Sequence, residues 1–177
     1  PMRYPGCMLP VLFYPEIAPP PGWTPRPYGS QIRLSPPEGE GEGAAIYLGP
    51  VVGRHERLPP PERLIELALA LEEETRFTVT RRGAARPVES EGGLRGVSLE
   101  VDGYVRPGAP PERRVYVVYA DARCCYGLSY AAPAEAFPVH EGAFWALARS
   151  LRPFRGEVLA PPEPGGPGAS PMTGYED

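Results

Sequence analysis

The sequence predicts an α+β fold in a single domain, with an antiparallel β-sheet sandwiched between helices. Two runs of β-branched and aromatic residues, 115–120 and 124–131, lie on either side of a short turn and predict a hairpin. Both faces of this hairpin are apolar, which is typical of a sheet that helices cover on both sides. An apolar stripe at helical spacing follows in residues 138–151 and supplies one of the covering layers.

The chain begins with a Pro-rich segment, residues 1–22, which ends in a Pro-Gly turn before Trp23. We expect Trp23 to cap the core from an edge turn; a ligand motif for a proline-binding module is the alternative. Residues 31–34 and 44–48 alternate apolar and polar side chains, so they predict a strand pair. The acidic, glycine-rich tip between them matches no phosphate-binding loop and is expected to be a solvated turn.

A helix is predicted from Pro61 to about Glu74, because proline suits the first helical position and an apolar stripe follows it. The stripe consists of Leu64, Leu67, Ala68 and Leu71, broadened by Ile65 and Leu69. Residues 77–80 are a strand candidate. Residues 97–102 alternate strictly between apolar and polar side chains, which predicts a half-exposed strand.

The hairpin has a predicted register that follows from a two-residue turn at residues 121–122. This turn would place Tyr119 opposite Cys124 on one face of the sheet. On the other face Tyr116 would lie opposite Gly127, a large ring beside a residue without a side chain.

The last helix has Pro138 near its start and Pro153 after its end. Its apolar stripe consists of Phe144, Leu147, Ala148 and Leu151, widened by Trp145. Residues 155–177 have no periodic apolar pattern and predict a flexible Pro/Gly-rich tail. The folded domain is therefore expected to span residues 23–154.

Composition argues against two classes of partner. All 18 basic residues are arginine, the net charge is −4, and no arginine cluster exceeds a pair. We therefore expect no nucleic-acid binding, which requires a basic stripe. No run approaches the roughly 20 apolar residues that a membrane span requires, so we expect no membrane insertion. With no recognisable signal peptide, the protein is predicted to be cytoplasmic.

The sequence contains no recognised catalytic motif, metal-ligand spacing or cofactor fingerprint, so we expect no enzyme, no metal and no cofactor. The two histidines are His55, in a predicted connector, and His140, at the start of the last helix. A catalytic pair of Cys124 or Cys125 with His140 is the enzymatic alternative, because the hairpin and the helix are neighbours. The adjacent cysteines point to opposite faces of a strand, so a disulfide between them is not expected.

Aromatic side chains are the candidate partner-binding residues, because tyrosines on a sheet suit a protein-recognition surface. The candidates are Tyr104, Tyr116, Tyr119, Tyr126, Tyr130 and Trp23. These residues favour a protein as the partner, and a second copy of the chain, in a homodimer, is one such partner.

Three short motifs occur in a characteristic order. They are P-x-G-W at residues 20–23, Y-x-L-x-Y-x-A-P at residues 126–133 and F-x-x-x-x-x-S-L at residues 144–151. In this order the chain resembles the PsbP/Mog-like superfamily, which includes the bacterial effector-chaperone group of type VI secretion. The resemblance implies an antiparallel sheet between helical layers and a non-catalytic binding protein. It also implies that the partner is an apolar helical segment of an effector, laid on the sheet.

The predicted function is therefore protein binding, as an adaptor or chaperone for a secreted effector. A structural or accessory subunit of a larger bacterial assembly, or a toxin-immunity protein, is the alternative. In a structural subunit, neighbouring subunits would order the Pro-rich ends.

Overall fold

The computed structural model describes residues 12–39, 42–54 and 58–156 of the 177-residue chain. Within these ranges it contains nine strands and two helices. In chain order they are β1 (Thr24–Tyr28), β2 (Gln31–Ser35), β3 (Ala45–Leu48), β4 (Val52–Gly53), α1 (Pro61–Thr75), β5 (Thr78–Arg82), β6 (Arg86–Glu89), β7 (Arg95–Tyr104), β8 (Glu112–Ala120), β9 (Cys124–Pro133) and α2 (Phe137–Ser150).

All nine strands belong to one antiparallel sheet with the order β1-β2-β3-β9-β8-β7-β5. β4 continues β3 along the same side of β9, and β6 continues β5 along the same side of β7. The predicted α+β class with an antiparallel sheet is confirmed. In the described part of the chain, no helix is both long and apolar enough to span a bilayer.

Side chains of β8 alternate between two cores, as the pleat of a strand requires. Val117 and Tyr119 belong to the larger core, which includes the apolar stripe of α2. Tyr116 belongs to the smaller core, together with Ile65 and Leu69 of α1. We call the sheet face that carries Tyr116 the α1 face, and the opposite face the α2 face.

The α2 helix follows its prediction. Phe144, Leu147 and Ala148 are buried, as is Leu151 directly after the helix, and Trp145 packs at the margin of the same core. Trp23 closes the core from a turn in which its N–H donates to the Pro20 carbonyl at 3.0 Å. The side chain of Trp23 is buried, so the predicted edge turn that caps the core is confirmed.

The α1 helix begins at Pro61 as predicted, but its buried face differs from the predicted stripe. Ile65 and Leu69 are the buried residues, whereas Leu67 is 45% exposed and Leu71 is 62% exposed. The helix packs on β7 and β8 along a narrow line, because Phe77 and the valines of β7 fill the space beneath it. Part of its apolar surface therefore stays in solvent.

The hairpin of β8 and β9 forms with a register two residues from the predicted one. Tyr119 lies opposite Tyr126 rather than Cys124, and Gly127 lies opposite Val118 rather than Tyr116. The cause is a turn that lies one residue later, at residues 122–123, where the Asp121 N–H donates to the Cys124 carbonyl at 3.0 Å. The carboxylate of Asp121 accepts the N–H groups of Arg123 and Cys124 at 2.7 Å. An even shift leaves every side chain on its predicted face.

The predicted strand pair near the start of the chain is confirmed as β2 and β3, with Arg33 opposite Tyr47. The predicted strands at residues 77–80 and 97–102 are confirmed within β5 and β7. β1, β4 and β6 were not predicted. The predictions for residues 1–11, for His55 and for the tail at 157–177 lie outside the described residues.

Candidate partner-binding groove

An open groove lies on the α1 face, beside α1 and above the strands that this helix does not cover. α1 packs on β7 and β8, which leaves the α1 face of β9, β3, β2 and β1 uncovered by either helix. A cleft of about 380 Å³ occupies this space. Its lining residues, which we call the groove, are Tyr28, Gln31, Gly43, Tyr47, Glu72, Arg76, Val105, Glu112, Arg114, Tyr116, Ser129, Tyr130 and Ala131.

The floor of the groove includes Ser129 and Ala131 of β9, and the same face of this strand continues beyond the groove through Gly127 and Cys125. Side chains alternate along this strand, so Cys125, Gly127, Ser129 and Ala131 share the α1 face. A Cβ atom added to Gly127 would meet no heavy atom within 4 Å. A glycine in a central strand with open space above it is typical of a place where another chain approaches closely.

Tyrosine rings stand on both sides of this floor. Tyr47 lies opposite Ser129 on β3, and the ring of Tyr28 lies 5.5 Å from the ring of Tyr47. Tyr116 lies opposite Ser129 on β8. Tyr28 is 54% exposed, and Val105 at the same cleft is also exposed. The groove therefore combines a flat floor with exposed aromatic and apolar sides.

The wall on the α1 side is charged. Glu72 and Arg76 line the groove, whereas Glu66 faces the other way and pairs with an arginine of β5. Residues three or four apart on a helix share a face, so Ala68 extends the side of α1 that carries Glu72.

Tyr116 brings a buried hydroxyl to the groove. Its side chain is only 7% exposed, and its Oη atom lies beside the Arg114 guanidinium without a hydrogen bond of good geometry. Burial, and then the nearby Glu72 carboxylate, raise the pKa of Tyr116 to about 12. The phenol therefore keeps its proton at neutral pH and can donate one hydrogen bond.

Arg114 is fixed inside the protein rather than available to a partner. Its guanidinium donates to Glu72 at 2.6 Å and to Glu112 at 2.8 Å. It also lies 3.8 Å above the ring of Phe77. These contacts use its donors and one of its faces, so Arg114 joins α1 to the sheet.

Arg26 and Arg33 lie opposite each other on β1 and β2, at a rim next to the groove, where Arg33 lies 6.0 Å from the ring of Tyr47. Both line a neighbouring cleft that Glu38 also lines. Like charges in directly opposed positions destabilise a sheet. Among the described residues neither arginine has an ion-pair partner, and the buried Nε of Arg33 has no hydrogen-bond partner. This rim can therefore accept a carboxylate.

The structure places the predicted binding residues in different environments. Tyr116 lies in the groove, and Tyr104 is half-buried at the end of β7. The remaining four have side chains buried in the core on the α2 face, although Tyr130 also borders the groove; they are Tyr119, Tyr126, Tyr130 and Trp23.

Two of the buried phenols have internal partners. The Tyr126 hydroxyl accepts the Phe154 N–H at 2.7 Å, and the Tyr130 hydroxyl donates to the Phe137 carbonyl at 2.9 Å. These rings hold α2 and the chain after it in place. Tyr28, Tyr47 and Arg33 of the groove and its rim were not singled out in the sequence, although Tyr47 alternates with the buried residues of its predicted strand.

The cysteines and His140 are not joined by any hydrogen bond within the described residues. Cys124 faces the α2 side and Cys125 the α1 side, as the strand pattern predicted. Burial raises the pKa of both thiols, so the reactive thiolate is disfavoured. His140 packs edge-on against Trp23, with 5.3 Å between ring centres. No group of three or more metal-ligand side chains occurs in the described part of the chain.

Comparison with known proteins gives no family assignment. No family model matches the chain, and no curated protein matches it. A solved structure that matches is the crystal structure of PA94, a protein of unknown function from Pseudomonas aeruginosa. It is 12% identical, with a TM-score of 0.45, over 76% of this chain and 99% of that one.

Proposed function

We propose that this protein is a non-catalytic binding module that holds an apolar helical segment of a protein partner in the groove. One observation carries the proposal: the face of β9 next to the groove is open above Gly127, and the exposed Tyr28 and Val105 side chains line the groove. Exposed aromatic and apolar side chains at an open groove are typical of a surface that a partner covers.

The dimensions of the groove favour a helix as the occupant. A helix with its side chains is about 10–12 Å across, close to the spacing of about 10 Å between packed layers. Above β9 the sheet presents no large side chain, so a helix can approach the floor as closely as α1 approaches β7. The rings of Tyr47 and Tyr28 then cover one flank of the bound segment, and α1 covers the other.

The charges of the rim specify the partner further. Arg26 and Arg33 are opposed cations without a carboxylate partner among the described residues. A partner with an acidic residue beside its apolar segment supplies that carboxylate and relieves the repulsion. An apolar segment flanked by lysine or arginine is repelled at the same place.

The biological role that fits this activity is that of an adaptor or chaperone for a secreted effector. Such a protein shields an apolar segment of the effector until the effector is delivered. The motif resemblance to the effector-chaperone group of type VI secretion supports this role, and the packing of α1 and α2 on opposite faces of the sheet supports a PsbP/Mog-like sandwich. We also propose that the protein catalyses no reaction and that it is located in the cytoplasm.

Affinity capture with a blocked groove tests the proposal. Gly127→Leu fills the space above the floor, whereas Gly142→Leu adds the same side chain to α2, where a Cβ also meets no heavy atom within 4 Å. Both variants are expected to fold, which thermal unfolding checks. We expect the wild-type protein and Gly142→Leu to capture the same host protein from a lysate, and Gly127→Leu to lose it.

The captured protein must also bind through the predicted kind of segment. Limited proteolysis of the complex, with mass spectrometry, is expected to protect an apolar stretch with an acidic neighbour. Capture that survives Gly127→Leu, or protection of a purely polar segment, would contradict the proposed function.

A further inference from the structure

A second cavity lies on the opposite face of the molecule, between α2 and the edge strand β6. It has a volume of about 320 Å³, at the small end of the range of about 300–1,000 Å³ that ligand pockets occupy. Arg86 and Val88 of β6, Ser98 of β7, and Trp145 and Arg149 of α2 contribute to its lining. The cavity is separate from the groove, because these residues belong to the α2 face or to the sheet edge.

A buried hydroxyl without a partner lines this cavity. The side chain of Tyr119 is fully buried, and among the described residues its Oη atom has no hydrogen-bond partner. An unsatisfied buried donor costs free energy unless another group pairs with it. Burial raises the pKa of Tyr119, so the hydroxyl is a donor at neutral pH. The cavity thus lacks an acceptor at this point.

Two arginines give the cavity a positive rim. Arg86 and Arg149 are both exposed, and no ion pair involves either of them within the described residues. Glu89 also lines the cavity, but its carboxylate lies 4.0 Å from Arg95 and is 62% exposed. Two guanidinium groups, each with a planar fork of donors, suit a carboxylate.

The third feature is the indole of Trp145. It is half-buried at the margin of the cavity, and its Nε1 donates to Glu141 at 3.3 Å, which fixes the ring. An indole face offers a flat apolar surface to another ring. Together with Val88, it makes one side of the cavity apolar.

We propose that this cavity binds a small aromatic carboxylate, a one-ring acid whose carboxylate pairs with Arg86 and Arg149. The Tyr119 hydroxyl donates to a carboxylate oxygen, and the aromatic ring lies against Trp145. A cavity of this size holds a molecule of about one ring with a short acidic substituent. This ligand site is independent of the groove, so its failure leaves the proposed function untouched.

Titration of the full chain with benzoate tests the proposal, with the fluorescence of Trp145 and its indole N–H resonance as readouts. We expect saturable binding that weakens at least about tenfold in Arg149→Ala, because a charge-assisted pair is lost. Tyr119→Phe is expected to weaken binding without unfolding the protein, since it removes only the unpaired hydroxyl. Arg63→Ala, at an exposed arginine on α1, is the matched control and is expected to bind as the wild type does.

Titrations with acetate and inorganic phosphate test whether the aromatic ring contributes to binding or whether the cavity binds any anion. Affinity for benzoate is expected to exceed that for either of them. Equal affinity for all three would overturn the proposal, because Trp145 would then contribute nothing. The proposal also fails if benzoate does not saturate, or if Arg149→Ala binds it as tightly as Arg63→Ala does.

Discussion

At the scale of single residues, two tyrosine hydroxyls on neighbouring strands have different surroundings. Tyr130 on β9 donates to the Phe137 carbonyl at 2.9 Å and so joins the sheet to the start of α2. Tyr116 on β8 is also buried, but its hydroxyl has only the Arg114 guanidinium beside it, without a hydrogen bond of good geometry. A buried polar group that is poorly paired costs stability.

Replacement of each tyrosine by phenylalanine is expected to separate these two roles. Tyr130→Phe loses a buried hydrogen bond and leaves a carbonyl unpaired, so it should lower the free energy of unfolding by about 1 kcal/mol. Tyr116→Phe removes a poorly paired donor, so it should leave that free energy unchanged or raise it slightly. Urea unfolding of the two variants measures the difference. Equal losses would show that the Tyr116 hydroxyl has a structural partner.

The register of the hairpin shows what a sequence pattern can predict about single residues and what it cannot. Alternation identified the face of every side chain in β8 and β9, because that property depends only on odd and even positions. The pairing itself depended on Asp121, whose carboxylate stabilises a turn one residue later than predicted. Tyr28 was beyond prediction because its strand, β1, contains two prolines and joins the sheet only through β2. Arg33 lies in a predicted strand, but the groove beside it forms only when β3 pairs with β9.

At the scale of elements, α1 is a helix with more apolar surface than its contact uses. The sequence predicted its start at Pro61 and its amphipathic character, both of which depend on local spacing. It could not predict which part of a wide stripe is buried, because Phe77, just before β5, and Val101 of β7 decide that. The exposure of Leu67 and Leu71 is therefore visible only in the folded chain.

Alanine substitutions on α1 are expected to distinguish its two faces. Ile65→Ala empties a fully buried position and should cost about 2–5 kcal/mol of unfolding free energy. Leu67→Ala, at a 45% exposed position, should change that free energy by no more than about 0.5 kcal/mol. Chemical denaturation of both variants provides the measurement. A large loss in Leu67→Ala would mean that this side chain is packed in the isolated protein.

At the scale of the whole molecule, buried tyrosines on both faces link the stability of the fold to alkaline pH. Burial raises the pKa of Tyr116 and of Tyr130 to about 12 from an ordinary value of 10.0. Because the folded pKa exceeds the unfolded one, the neutral phenols stabilise the fold fully below pH 10. That contribution is lost as the pH rises from 10 through 12.

The fold is therefore expected to lose stability between pH 10 and 12, with the phenolate absorbance rising together with the loss of circular dichroism. The double variant with Tyr116→Phe and Tyr130→Phe has two fewer titrating groups, so its stability should fall less steeply over the same interval. Identical pH dependence in the variant and the wild type would refute the assignment of these two phenols.

The central claim is that the groove takes an apolar helix with an acidic neighbour. Nuclear magnetic resonance of the labelled 19.2 kDa chain, titrated with a synthetic Leu/Ala helical peptide ending in aspartates, tests it most directly. We expect saturable shifts of the amides of Tyr47, Gly127 and Ser129, and weaker binding by the same peptide ending in lysines. Shifts confined to the α2 side, around the exposed Val139, or no saturation with either peptide, would contradict the claim.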